Sequence, residues 1–296
     1  RRGRPLSSMV TVIFWEEDGS FDPKRRTIMI KADYHMHTYF SSDSDTPPEA
    51  MALGAIKKGL RWICITDHHD WDYPEDKSQF RIDFPRYLPA IRKLKEDFRD
   101  RISIQMGVEI GFQKHLGPYY KELADTYPFD FIIGSTHVVD GRDPYNGVLF
   151  ENQTDAKVYE QSFEETMENI RIIRDFDVLG HMDYIVRYGR HQAKEYNWKN
   201  CSDLIDEILR WLIEHGKGIE MNMAGFKYGL GFCHPYPEII RRYRELGGEI
   251  ITVGSDAHQP DHIAYQYEDA GRILEQCGFR YYTIFIGRKP KFLKIN

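Results

Sequence analysis

The chain has only four cysteines, Cys64, Cys201, Cys233 and Cys277, and they stand far apart with no CxxC spacing. A zinc ribbon is therefore excluded, as is the dense disulfide framework of a small secreted domain, and the thiols read as reduced and structural. No apolar run approaches the ~20 residues that cross a bilayer, and no secretory leader core is present, so the expectation is a cytoplasmic protein without a membrane partner. An excess of positive charge is also missing. Lys and Arg number 40 against 46 Asp and Glu, a formal net charge of −6. That balance argues against a nucleic-acid partner and confines any phosphate binding to a focused pocket. Internal repeats, heptads and low-complexity tracts are absent.

What is present begins with an ordinary globular composition, 41% hydrophobic and 29% charged, which supports a full core and excludes disorder. Apolar runs able to form buried strands are RWICIT (61–66), ISIQMGVEI (102–110), FDFIIGS (129–135), DVLGH (177–181), GIEMN (218–222), EIITVGS (249–255) and YYTIFI (281–286). A first strand is expected over Ile30 to Tyr34. Between several of these runs lie helix-period segments, including PPEAMALGAIKKG with Pro at its start and Gly59 at its end. Seven or eight strand-and-helix units in alternation predict an α/β fold with a parallel sheet closed into a barrel. Residues 1–28 read as an extension and 29–296 as the catalytic domain. The loops HDWDYPEDKSQFRIDFP and MAGFKYGLGFCHPYP are long for βα connections and are expected to shape a pocket at the catalytic face.

Six histidines and three carboxylates fall where apolar runs end or in the loops just beyond: His35, His37, Asp43, His68, Glu109, His137, His181, Asp256 and His258. His35 and His37 alternate with Met36, so a strand points both imidazoles to one side. Asp43, in SSDSD, is a ligand or a turn acid ahead of the helix at Pro47, a role that Asp45 could fill instead. In TDHHD, His68 reads as the ligand, with two of the four residues there orienting it. Glu109 interrupts an apolar strand, where a carboxylate is costly unless paired or bound to metal. Neutral imidazoles with a few carboxylates describe a multinuclear hydrolytic metal centre at one end of a barrel. His215 reads as a helix-end residue, His115, His191 and His234 lie in loops with no partner pattern, and His262 either borders the pocket or begins a helix.

The ordered strings HMH, TDH, GVE, GSTH, GHMD and GSDAH, with Asp43 between the first two, resemble the polymerase and histidinol phosphatase (PHP) family from about residue 30 to about 286. The resemblance implies a distorted (β/α)7 barrel, similar to a TIM barrel, with three divalent ions (Zn, Mn or Fe) at the C-terminal ends of its strands. It implies a first ion on His35, His37, Glu109 and Asp256, a second on Glu109, His137 and His181, and a third on Asp43, His68 and His258. Asp43 stands where some members carry histidine, a change toward oxygen-preferring metals. DFIIGSTHVVDG, FDVLGHMDYIVRYG and SDAHQPDHI are most similar to the histidinol-phosphate phosphatases, whereas GRHQAKEYN departs from them.

The expected activity is hydrolysis of L-histidinol phosphate, a small-molecule phosphate monoester, with water activated by the ions as nucleophile. Arg187 is the first choice for a phosphate clamp, followed by Arg142 and Lys227, and Asp183 is expected to orient an imidazole or meet a substrate amine. Tyr39, Trp71, Tyr73 and Phe226 are candidates to stack on a substrate ring, and the sequence does not choose among them. A different phosphate ester, such as a nucleotide, sugar phosphate or phosphotyrosine, is the alternative substrate. A non-catalytic PHP module is the alternative from another class, and its signature would be lost ligands.

Overall fold

The computed structural model describes residues 30–194 and 196–295, and the extension expected over residues 1–28 lies outside them. Parallel strands run in the order β1 (Ala32–Asp33), β2 (Trp62–Ile65), β4 (Ser103–Gly111), β5 (Phe131–Ser135), β6 (Val178–Leu179), β7 (Gly218–Asn222) and β8 (Ile251–Gly254). A short β3 (His68–His69) continues β2 along the same neighbour, since Trp62 pairs with Ser103 and His68 with Glu109. The ring closes where the Tyr34 amide donates to the Val253 carbonyl (2.9 Å), the Asp256 amide to His35 (2.9 Å) and the His37 amide to Ala257 (2.8 Å). The fold is a seven-stranded β/α barrel, and the parallel strands, covered on both faces, are almost wholly buried.

The helices follow their punctuation. Helix α1 (Pro48–Lys57) begins on proline and is followed by Gly59 at φ +74°, a left-handed position that glycine adopts without a Cβ clash. Neither Asp43 nor Asp45 caps it, because its N-terminus takes no side-chain cap. Helix α2 (Phe84–Phe98) packs its apolar stripe on the barrel, and α3 (Gly117–Thr126) precedes β5. In α4 (Asp155–Ile172) the Thr154 side chain caps the Lys157 amide (3.3 Å). Helices α5 (Ser202–Glu214), α7 (Pro237–Glu245) and α8 (Tyr267–Gln276) complete the outer layer, and the single turn α6 (Ala224–Lys227) lies in the loop after β7. Among the described residues no helix is long and apolar enough to cross a membrane.

One expected barrel strand lies outside the barrel. YYTIFI forms β9 (Tyr281–Ile286), which pairs antiparallel with β10 (Lys289–Lys294). The turn explains this: Gly287 (φ +56°) and Arg288 (φ +61°) give a two-residue connection with both residues left-handed, the geometry that folds a strand straight back. The hairpin plugs the N-terminal end of the barrel. Thr283 Oγ1 accepts from the Ile251 amide (3.2 Å), the Tyr34 hydroxyl donates to the Phe285 carbonyl (3.0 Å), and the Gly287 and Arg288 amides donate to Asp130. The opposite end is left for the site.

Packing in the wall is tight enough to test. A Cβ on Gly134 would meet the Phe112 ring at 2.0 Å, and that ring is buried edge-on against Phe176 (5.2 Å). Gly134→Ala is expected to lower the unfolding free energy by about 1–3 kcal/mol through overpacking, read by denaturant titration.

Candidate metal centre

All nine residues singled out in the sequence meet at the C-terminal end of the barrel. Glu109, on β4, is fully buried and stands at the middle. Its Oε1 accepts from Ser135 Oγ (2.7 Å) and lies 3.0 Å from His181 Nε2 and 3.2 Å from His137 Nε2. Its Oε2 lies 3.0 Å from His35 Nε2, 3.0 Å from His68 Nδ1 and 3.6 Å from His37 Nε2. Asp256 Oδ1 is 3.3 Å from His37 Nε2, and Asp43 Oδ2 is 3.0 Å from His258 Nε2 and 3.6 Å from His68 Nε2. Asp256 holds φ +53°, a conformation that Asp tolerates better than most side chains, and this turns it back onto the cluster.

The donor set suits divalent ions better than it suits itself. A carboxylate offers about four acceptor sites, yet five imidazoles and a hydroxyl crowd Glu109. His37 Nε2 and His68 Nδ1 are buried and satisfy no hydrogen-bond geometry. Among the described residues five ligand groups have their atoms within 4.8 Å: His35–His37–Glu109, Glu109–His137–His181, His37–His68–His258, His35–His181–Asp256 and His68–Asp70–His137. Nitrogen with carboxylate oxygen is the donor chemistry of zinc, manganese or iron. Burial pushes the Glu109 carboxyl up, but the imidazoles of His35, His137 and His68 outweigh it and hold the group well below the usual range. Burial lowers His37, and the neighbouring His68 and His258 rings lower it further.

Surrounding groups fix the rings. Asp70 Oδ2 takes His137 Nδ1 (2.7 Å), and Asp67 binds the Thr38 amide (2.6 Å) and Ser41 Oγ (2.8 Å), whose oxygen also lies 3.2 Å from His37 Nδ1. His69 turns away to Tyr119 (2.7 Å). Sequence reasoning missed Glu220, buried on β7, which takes His35 Nδ1 (2.7 Å) and the His181 amide (3.0 Å). Its signal was the one that exposed Glu109, a carboxylate inside an apolar strand, here GIEMN. Carboxylates on the far ring nitrogen set tautomer and orientation in metal sites.

The four further candidates separate. Arg187 is buried between the rings of Tyr184 (4.7 Å) and Tyr228 (4.0 Å), with Nη2 3.7 Å from Asp256 Oδ2, and its Nε and Nη2 have no hydrogen-bond partner. Lys227 Nζ donates to the Asp256 carbonyl (3.0 Å). Arg142 lies exposed in the loop after β5, its backbone paired with Val139, and among the described residues no ion pair ties it to the cluster. Asp183 is fully buried and orients an imidazole, that of His234, at 2.5 Å, while also accepting from the Tyr236 amide (2.8 Å). His234, which shows no partner pattern in sequence, is thereby part of the wall behind the site.

The model of the PHP domain matches residues 33–224. The chain belongs to the PHP domain family. A Clostridium acetobutylicum protein named a probable histidinol-phosphatase is 32% identical over 84% of this chain and 94% of its own. The histidinol-phosphatase of Lactococcus lactis is 30% identical over 88% of this chain and 96% of its own. The crystal structure of histidinol phosphate phosphatase from Lactococcus lactis, complexed with zinc, L-histidinol and phosphate, superposes with a TM-score of 0.82 at 29% identity, covering 88% of this chain and 98% of that one. In this PHP barrel the matched segment carries seven of the nine clustered residues, and Asp256 and His258 lie beyond it.

Asp183→Ala would strand two donors, the buried His234 Nδ1 and the half-buried Tyr236 amide. The expected result is a loss of about 1–3 kcal/mol of unfolding free energy for each donor left unpaired, measured by denaturant titration.

Proposed function

We propose that this PHP barrel is a divalent-metal-dependent phosphomonoesterase that hydrolyses L-histidinol phosphate to L-histidinol and phosphate. The observation that carries the chemistry is Arg187: a buried guanidinium with unpaired N–H groups beside a cluster of imidazoles and carboxylates calls for an anion. The relatives point to the substrate, since the Clostridium acetobutylicum and Lactococcus lactis proteins that share most of this chain's length are named a probable histidinol-phosphatase and a histidinol-phosphatase. The four free thiols suit a reducing cytoplasm.

His35, His37, Glu109 and Asp256 would hold one ion, Glu109, His137 and His181 a second, and Asp43, His68 and His258 a third, each zinc, manganese or iron. Bound ions supply Lewis acidity toward the phosphoryl oxygens and an activated water. Three divalent ions bring about +6, against about −3 from Asp43, Glu109 and Asp256, which suits a phosphate dianion. Arg187 clamps the phosphoryl oxygens, and Lys227, held at the Asp256 carbonyl, adds a second positive charge on the same side. Glu220 at Nδ1 leaves His35 its Nε2 lone pair, and Asp70 does the same for His137. Burial of His35, His37, Glu109 and His181 excludes bulk water from the inner contacts.

The test is phosphate release from L-histidinol phosphate beside nucleotides, sugar phosphates and phosphotyrosine, with metal analysis of the purified protein. Selectivity for histidinol phosphate, abolished by chelator and by His137→Ala, is expected; turnover mainly of another ester would discard the substrate, and none with full metal occupancy would discard the enzyme. Arg187→Ala is expected to lower kcat/KM by about 10- to 100-fold, the loss of a charge-assisted contact. Chelation is also expected to lower the Tm, and returning zinc to restore it, as binding to the folded state requires.

A further inference from the structure

Arg187 and Lys227 account for the phosphate half of a substrate, and both repel an ammonium group. A cationic leaving group must therefore extend away from both, past His68 and His137 toward the rim. There Phe80 sets its edge on the His68 ring (5.2 Å), and Tyr73 sets its edge on Phe80 (5.0 Å). The Tyr73 hydroxyl donates to Asp143 Oδ2. On the opposite flank Tyr184, whose ring also meets the Arg187 guanidinium, lies 5.5 Å from the His137 ring and shares a hydrogen bond with Tyr188 (2.7 Å), against which Tyr145 packs at 6.3 Å. Asp143 joins the two flanks, since its Oδ1 accepts from the Tyr145 amide (2.8 Å).

Among the described residues no Lys, Arg or His forms an ion pair with Asp143. Two of its roughly four acceptor sites are occupied, both by uncharged donors, so a charge-assisted contact remains open. Tyr145, 78% exposed, stands beside it with a free face of the kind that attracts cations and flat rings. Glu75, hydrogen-bonded to Asn146, adds negative potential on the same rim.

We propose that Asp143, framed by Tyr73 and Tyr145, binds the amine of the leaving group and makes the site selective for phosphomonoesters that carry a cation. This rests on the function proposed above and adds the residue that reads the alcohol half.

The experiment compares kcat/KM for L-histidinol phosphate and for its des-amino analogue, 3-(imidazol-4-yl)propyl phosphate, in the metal-loaded wild type and in Asp143→Asn, which keeps an acceptor for the Tyr145 amide. The wild type is expected to prefer the amine by about tenfold or more, as a charge-assisted hydrogen bond provides, and the variant to bring the ratio near one through KM. A wild-type ratio near one, or a variant that keeps the wild-type ratio, overturns the subsite while leaving the phosphatase reading intact. If neither ester is hydrolysed by the loaded wild type, the function fails and the subsite with it.

Discussion

Glu109 is the group on which the rest of the site depends. Its two oxygens meet five imidazoles contributed by four separate parts of the barrel, and its exposure is nil. A lone carboxylate at that depth would be protonated or excluded. Here positive charge from the surrounding rings, and from any ion they hold, keeps it ionised. Every strand that carries a ligand must then end within a few ångströms of one point, and this requirement fixes how far each strand runs before its loop begins. The register of His68 against Glu109 and the continuation of β2 through β3 are direct expressions of it.

A second ring of carboxylates makes that convergence rigid. Asp67, Asp70 and Glu220 each accept from a group that would otherwise swing, and Asp33 below them binds the Ser255 amide (2.9 Å), Ser255 Oγ (2.5 Å) and the Ala264 amide (3.0 Å). Asp33 thereby fastens the first strand to the loop after the last one, where backbone pairing between β1 and β8 is sparse. Space enforces the same arrangement. A Cβ on Gly254 would meet Glu220 Oε1 at 2.2 Å and His35 Cβ at 2.4 Å, so only glycine lets the last strand pass so close.

Most of the barrel and the whole inner cluster were legible in the sequence, because each rests on a local signal. Buried parallel strands read as apolar runs, and a histidine or carboxylate at the end of such a run has no apolar explanation. What was not legible depends on partners distant in sequence. Glu220 carried the signal of a carboxylate in an apolar strand, but what it does shows only with His35, 185 positions away, beside it. His234 showed nothing until Asp183 was found at its Nδ1. YYTIFI carries the composition of a barrel strand, and only the left-handed pair Gly287–Arg288 turns it into a hairpin. Arg142 and Arg187 are alike as letters, yet one faces solvent and the other is locked between two tyrosines.

Exposure within the cluster is graded, and the gradient gives the site a direction. Side chains of His35, His37 and Glu109 are wholly buried, whereas His68 is 13%, His258 23% and Asp43 40% exposed. The deep groups are therefore shielded by protein, and among the described residues solvent meets the cluster chiefly across Asp43, His68 and His258, with His137 and Asp256 each 8% exposed. A substrate arriving along that path presents its phosphate inward, toward the fixed charges, and leaves its alcohol at the rim, among residues of the long loops. The metal-facing half of recognition is thus tied to the strands and cannot drift without breaking the barrel. The alcohol-facing half rests on loops that can vary with no cost to the core, and it is there that one member of a fold with a shared centre becomes selective for its own ester.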